Sequence, residues 1–326
     1  MNDLRRKVIR GGAWVFALRI VGRGLGFVRT LILARLLAPE DFGLLGVAML
    51  SISTLETFSQ TGFQAALVQK KGDIEPYLDT AWTLSVIRGC LLFSLLFFGA
   101  PWIAAFFNSP DAEHVIQAVA FLTLLGGLNN IGIIFFQKEL DFEKKFSYEI
   151  SSALTDLLIS VSLAFYLRSV WALVWGGLAA GFVRLFMSFW IHSYRPRLAL
   201  CKEKAVELFR FGRWITGSRI VIFIATQGDD IVVGKLFGVS ALGIYQMAYL
   251  ISNLPATEIT HVISQVMFPA YSKIREGGGE IGKAFMLTLN IVSALAFPLV
   301  ALIFLLIPEF TMVFLGKKWI PIVWPA

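Results

Sequence analysis

The sequence predicts an all-α membrane protein, a polytopic bundle of helices. Of its 326 residues, 57% are hydrophobic and only 16% are charged, whereas soluble domains are about 45–50% apolar and about 25% charged. The mean hydropathy is +0.72. The apolar residues also fall in runs of about 20, the length that crosses a bilayer as a helix. Most of the chain is therefore expected to lie in the membrane.

The apolar runs predict about nine membrane spans and the start of a tenth. In order, they cover residues 12–34, 43–68, 81–107, 114–136, 148–167, 170–191, 212–233, 241–268 and 284–307. The tenth begins at Trp319 and the sequence stops within it. We therefore expect the chain to be a fragment of a longer protein.

Lysine and arginine predict the orientation of these spans. Basic residues concentrate in the N-terminus and in the loops after the even-numbered spans. They are Arg5, Arg6, Lys7 and Arg10, then Lys70 and Lys71, then Lys138, Lys144 and Lys145, then Arg195, Arg197, Lys202 and Lys204, then Lys273, Arg275 and Lys283. The positive-inside rule places these segments, and so the N-terminus, in the cytoplasm. Topology thus accounts for the net charge of +7, and no nucleic-acid partner is expected.

The sequence also repeats itself at a shift of 200 residues. Ten positions between 10 and 50 are identical in the second copy, where average residue usage predicts about three. They are Arg10, Gly12, Trp14, Arg19, Ile20, Val21, Leu36, Gly43, Ala48 and Leu50. The period contains six spans, so both copies enter the membrane in the same direction, as a parallel repeat. We predict a six-helix lobe over residues 1–200 and a partial second lobe over 201–326, with three spans and the start of a fourth.

Charged residues inside the predicted spans are candidate functional residues, because charge is costly in lipid. Arg19 and Arg23 are four residues apart in the first span and share one helix face. Arg29 lies round to one side of that face. The spacing predicts that Arg19 and Arg23 line a polar cavity inside the bundle.

Several segments resemble the oligosaccharide flippases of bacterial polysaccharide biosynthesis. That family belongs to a superfamily that also holds lipid II flippases and multidrug and toxin extrusion transporters. The segments are LARLLAPEDFGLLGVAML from Leu33, FSQTGFQAALVQ from Phe58, VVGKLFGVSALGIYQMAYLISNLP from Val232, VISQVMFPAYSKI from Val262 and FLGKKW from Phe314. The resemblance implies two lobes of six helices around a cavity. It also implies an undecaprenyl pyrophosphate-linked oligosaccharide as cargo.

For such a cargo, Arg23, Arg19 and Arg219 are the predicted pyrophosphate ligands. Arginine is always charged and binds oxyanions with two parallel hydrogen bonds. Arg23 has no arginine counterpart in the repeat, which favours a cargo role, whereas the Arg19–Arg219 match favours an architectural one. Structural ion pairing is the alternative for all three. For Arg88 and Arg184, near span ends, snorkelling to the membrane surface is favoured.

Acidic residues and one histidine within the spans form a second candidate set. They are Glu56, Asp156, Asp229, Asp230, Glu258 and His261. They are expected either to couple transport to protons or sodium, or to serve as counter-charges to the arginines. A lone histidine within a span is more often hydrogen-bonded structure than a proton relay.

These features predict a flippase of the bacterial inner membrane that works by alternating access, for lipopolysaccharide O-antigen, capsule or exopolysaccharide synthesis. A cation-coupled multidrug or small-molecule exporter of the same fold is one alternative. A non-transport membrane subunit of the assembly pathway is another. The expected partners are the lipid-linked oligosaccharide, membrane lipids and other polysaccharide-assembly proteins. The sequence contains no Walker A loop, metal cluster or nucleophile motif, so we expect neither a cofactor nor enzymatic activity.

Overall fold

A computed structural model describes most of the chain. It covers residues 2–60, 62–70, 72–139, 141–253 and 280–323, with four single positions between 254 and 279, and for 2–10, 64–65, 69 and 210–216 the backbone alone. Within these residues every regular element is helical and there is no strand. The predicted all-α class is confirmed.

The described residues form eleven α-helices. They are α1 (Asn2–Leu36), α2 (Pro39–Ser59), α3 (Phe63–Gln69), α4 (Glu75–Phe106), α5 (Ala112–Leu128), α6 (Ile134–Lys138), α7 (Phe142–Leu167), α8 (Trp171–Ile191), α9 (Lys202–Phe237), α10 (Val239–Ser252) and α11 (Ile281–Phe310). By length and composition, α2, α4, α7, α8 and α11 could each cross a membrane, and α5 with α6 would be a sixth span. The charged helices α1 and α9 are not among them.

Two predicted spans are broken in the structure. The span predicted over 43–68 stops at Ser59, and Gly62, with φ of +64°, turns the chain into α3. Glycine adopts this left-handed conformation without a Cβ clash. The span predicted over 114–136 bends by 70° between α5 and α6. Hydropathy along the sequence does not reveal either break, because the apolar residues continue across both of them.

The chain divides into two compact units, Met1–Gly243 and Ile244–Ala326. In the first, α4 packs on α5, α7 packs on both α1 and α8, and α5 also contacts α2 and α8. Glycines bring α4 and α5 together: a Cβ on Gly89 would lie 2.9 Å from the carbonyl oxygen of Thr123. Small residues of this kind let membrane helices approach closely.

The second unit contains α11 and the segment after it. A π-helical turn, Thr311–Leu315, and a 3₁₀ helix, Lys317–Val323, pack on each other beyond α11. Thr311, Leu315 and Trp319 are buried there. The predicted division at residue 200 is based on the sequence repeat, whereas the two units above are defined by compactness. Both the predicted division and the repeat stay predictions.

Candidate functional site

The first polar cluster inside the bundle joins α1 to α7. Arg29 Nη2 lies 3.0 Å from Asp156 Oδ1, and Arg29 Nε donates a hydrogen bond to Ser160 Oγ at 3.1 Å. The two charged side chains are only 18% and 26% exposed. Gly176 of α8 closes the cluster from the other side, since a Cβ there would come within 2.9 Å of Asp156 Oδ1. The charge of Arg29 is therefore balanced within the fold.

A second arginine forms hydrogen bonds at the C-terminal end of α2. Arg88 of α4 donates from Nε to Ser59 Oγ at 3.0 Å and from Nη2 to the carbonyl oxygen of Glu56 at 3.1 Å. The last carbonyl groups of a helix lack intrahelical partners and carry the negative end of its dipole. Arg88 thus contacts the C-terminal end of α2, and the snorkelling predicted for it stays a prediction.

Three of the acids predicted as functional residues lie near the contact between α2 and α9. Ser53 Oγ donates to Gln227 Oε1 at 2.7 Å, and the rings of Phe58 and Phe223 lie 6.4 Å apart. Glu56 is exposed one turn beyond Ser53. On α9, beyond Gln227, the predicted Asp229 is exposed and Asp230 half-buried. The three acids therefore lie within one turn of the residues that join α2 to α9.

The arginines predicted to bind pyrophosphate lie on two helices. Arg23 is exposed and Arg19 half-buried on α1, and Arg219 is exposed on α9. Helix α1 packs mainly on α7, whereas α9 packs on α2, α3 and α4. The predicted Glu258 and His261 lie outside the described residues. The cavity role of all these residues stays a prediction.

The connection between α8 and α9 is held against the beginning of α4, an arrangement that the sequence did not predict. Asp79 Oδ1 accepts hydrogen bonds from Tyr194 Oη at 2.5 Å and from the Arg197 N–H at 2.9 Å. Farther along, the Ala199 N–H donates to Thr83 Oγ1 at 3.0 Å. Burial and the bond to Asp79 raise the pKa of Tyr194. Asp79 thereby fixes how the chain passes from α8 to α9.

The start of α9 is tied to α3 and α4 by an ion pair. Lys70 contacts Glu207, and Tyr77 Oη donates to Glu207 Oε2 at 2.8 Å. These hydrogen bonds raise the pKa of Lys70 and lower that of Glu207. Only a basic residue near Gln69 and an acid in α9 were visible in the sequence, and nothing there indicated that they would meet.

The motif APEDFG, at the start of α2, has a structural explanation that sequence reasoning missed. Asp41 Oδ2 accepts a hydrogen bond from the Ala38 N–H at 2.8 Å, as in a helix capping box. Its Oδ1 accepts another from the Val170 N–H at 2.8 Å, at the turn between α7 and α8. The signal was present in the sequence, because an acid three residues after the N-cap residue is typical of such a cap.

The fold and the charges within it define a polytopic, all-α membrane protein. The sequence matches the family described as "Polysaccharide biosynthesis protein" over residues 32–324. The chain belongs to this family. The resemblance predicted from the segments around Leu33 and Val232 is confirmed.

Three similar relatives have names from polysaccharide assembly. Lipopolysaccharide biosynthesis protein WzxC of Escherichia coli strain K12 is 28% identical over 97% of this chain and 65% of its own length. Succinoglycan biosynthesis transport protein ExoT of Rhizobium meliloti strain 1021 is 25% identical over 98% of this chain and 65% of its own length. Teichuronic acid biosynthesis protein TuaB of Bacillus subtilis strain 168 is 26% identical over 79% and 54%. The chain thus spans 65% or less of these three relatives.

Among solved structures, the chain is similar to an inward-facing conformation of a multidrug resistance MATE family transporter of the MOP superfamily. The TM-score is 0.69, with 16% identity, over 90% of this chain and 74% of the other. The likeness is one of fold. It confirms the all-α helical architecture that the sequence predicted.

Proposed function

We propose that this chain belongs to a flippase that moves an undecaprenyl pyrophosphate-linked oligosaccharide across the bacterial inner membrane for polysaccharide biosynthesis. The observation that carries the proposal is the family match over residues 32–324 on a bundle of apolar helices. The names of the relatives, which include a transport protein of succinoglycan biosynthesis, support it. The protein acts as a transporter rather than an enzyme, with its N-terminus in the cytoplasm.

The proposed mechanism is alternating access between two lobes. The lipid tail stays in the bilayer while the pyrophosphate and the glycan cross within the protein. Arg23 and Arg19, with Arg219, hold the pyrophosphate by charge-assisted hydrogen bonds. The balanced charge of Arg29 supports this division of roles, because its pairing with Asp156 gives it a partner within the fold. Glu56, Asp229, Asp230, Glu258 and His261 are the proposed ion-coupling residues.

The test is complementation with the full-length gene in a strain that lacks its own flippase. Arg23→Ala is expected to abolish polymer export, and Arg23→Lys to reduce it, since lysine cannot form the bidentate contact. Arg168→Ala is the matched control: Arg168 is an exposed arginine in the turn after α7. Normal export by both Arg23 variants would refute the arginine role. Export of a cationic dye, with lipid-linked glycan left unflipped, would identify an exporter instead.

A further inference from the structure

The connection between α8 and α9, residues 192–201, exposes two large apolar side chains. Leu198 is 73% exposed and Leu200 is 59% exposed. Both lie in an irregular segment between two helices. Apolar surface of this size is unfavourable in water. Something other than water is therefore expected to cover this side of the connection.

Hydrogen bonds to α4 hold the backbone of the connection in place. The N–H groups of Arg197 and Ala199 both donate to side chains of α4, the second of them to Thr83 Oγ1 at 3.0 Å. The Cys201 N–H donates to Thr80 Oγ1 at 3.3 Å. Turning the connection so that its leucines face inward would break these bonds and leave the donors unpaired. The exposure of the leucines is therefore a fixed feature of the fold.

The same hydrogen bonds make the connection amphipathic. Bonds from every second residue are the pattern of an extended segment, whose side chains point alternately to opposite sides. The backbone of Cys201 is extended, with φ of −102° and ψ of 114°. Leu198 and Leu200 therefore lie on one side of the segment, and Arg195 and Arg197 on the other.

The basic side carries charge that the described residues leave unbalanced. Arg197 and Lys202 are exposed, and neither side chain makes a hydrogen bond or ion pair to another described residue. Arg195 donates only to neutral acceptors, the carbonyl oxygens of two residues of the connection. Residues 192–204 include four basic residues and one acid. Even with Asp79 of α4, which accepts from the backbone here, the local charge stays positive.

Two neighbouring features indicate that the connection lies at the edge of the bilayer. Trp190, at the end of α8, is 73% exposed, and tryptophan is enriched where membrane meets water. On α4, Ile87 and Leu91 follow Thr83 at intervals of four residues, so the three share one helix face. Both apolar side chains are exposed on this candidate membrane span. An apolar surface of α4 thus begins one turn beyond the residue that holds Ala199.

These observations select among the surfaces that could cover the leucines. A zwitterionic lipid would accept the leucines but leave Arg197 and Lys202 without counter-charge. A second copy of the chain, packed symmetrically, would bring the same basic side chains together, and like charges repel. Segments that combine apolar and basic residues bind anionic membrane surfaces, through apolar burial and electrostatic attraction together. An anionic lipid surface satisfies both sides of the connection.

We propose that the α8–α9 connection is a binding site for anionic phospholipid of the bilayer that surrounds the protein. Leu198 and Leu200 insert at the boundary of the acyl chains, and Arg197 and Lys202 bind lipid phosphate groups. The predicted orientation makes this the cytoplasmic leaflet, whose surface is negatively charged. Lipid bound here also holds the passage from α8 to α9, because the connection is tied to Thr83. The site goes beyond the proposed transport function and does not depend on the cargo.

The experiment is fluorescence quenching of a dye at position 198 of the full chain, in nanodiscs of phosphatidylcholine. Leu198→Cys, with Cys90→Ser and Cys201→Ser, provides a single labelling position. The quenchers are acyl-brominated phosphatidylglycerol and acyl-brominated phosphatidylcholine at equal mole fraction. We expect both lipids to quench, the anionic one more strongly. Arg197→Gln and Lys202→Gln should each lower the preference for phosphatidylglycerol by about fivefold, the effect of one basic residue near a membrane surface.

Arg168→Gln is the matched control, since Arg168 is an exposed arginine in the turn after α7. It should keep the preference of the parent protein, and added salt should reduce that preference. Equal quenching by the two lipids, or glutamine variants that behave like the control, would overturn the proposal. Quenching by acrylamide in place of lipid would show that the connection lies in water. Protection from lipid and acrylamide alike would show that protein covers it, and either result also overturns the proposal.

Discussion

At the scale of single residues, His192 anchors the connection between α8 and α9. Its Nδ1 accepts a hydrogen bond from the Tyr194 N–H at 3.0 Å, and its ring stacks on Phe135 with centroids 5.4 Å apart. Burial lowers the pKa of His192, and nearby Lys144 and Arg195 lower it further, while Glu139 opposes them. The folded protein therefore prefers the neutral imidazole.

The lowered pKa predicts acid sensitivity. In the unfolded chain the histidine protonates near its ordinary pKa of 6.5, and in the folded chain only at lower pH. The contribution of His192 to stability is thus fully present above pH 6.5, the ordinary pKa, and is lost as the pH falls through the lower pKa of the folded state. Protonation of Nδ1 would also remove the acceptor for Tyr194. We expect the melting temperature of the purified protein to fall between pH 7.5 and about 5.5.

His192→Asn should flatten this pH dependence, because the asparagine oxygen can accept from Tyr194 and does not titrate. His114→Asn is the control, since His114 is exposed on α5. It should keep the pH dependence of the parent protein. If His192→Asn keeps the pH dependence of the melting temperature of the parent protein, His192 is not the source of the acid sensitivity.

At the scale of elements, the contact between α1 and α7 rests on the Arg29–Asp156 pair and on apolar packing. The rings of Trp14 and Phe146 lie 5.1 Å apart along the same contact. Removing one partner of a shielded ion pair leaves an uncompensated charge, whereas removing both leaves none. The pair therefore contributes mainly to the specificity of the packing between these helices.

We expect Arg29→Gln and Asp156→Asn each to destabilise the protein by up to about 3 kcal/mol. The double variant should be more stable than either single one. Thermal unfolding of the four proteins in one lipid forms the double-mutant cycle. An additive result would show that the charges do not interact. If the double variant is stable but no longer transports, the Arg29–Asp156 pair also has a role in transport.

At the scale of the whole molecule, the beginnings of α2 and α10 cross at two glycines that match in the predicted repeat. A Cβ on Gly43 would overlap the carbonyl oxygen of Val239, and one on Gly243 would overlap that of Pro39. Each contact is the other shifted by 200 residues. Reciprocal contacts of this kind are what a two-fold axis produces. They support the predicted parallel repeat, which stays a prediction.

Gly43→Ala and Gly243→Ala are therefore expected to have similar effects. Each places a methyl group on a backbone carbonyl that cannot rotate away, at a cost of about 1–3 kcal/mol. The fall in melting temperature and in yield of folded protein measures this cost. Gly177→Ala on α8 is the control, because a Cβ there meets nothing within 4 Å. Tolerance of either substitution at the crossing would contradict the reciprocal contact.

Composition and periodicity sufficed to predict a bundle of membrane helices, since runs of apolar residues have few other stable structures in a bilayer. Helix spacing alone also separated Arg29 from the face of Arg19 and Arg23. The sequence predicted neither the partner of Arg29 nor the 70° bend between α5 and α6.

Only the tertiary structure decided which polar groups meet: Arg29 with Asp156, and Asp79 with Tyr194. The physical reason is that contacts between helices depend on the rotation, bend and depth of each helix. Hydrophobicity along a chain determines that a segment lies in the membrane, but it is nearly indifferent to these three quantities.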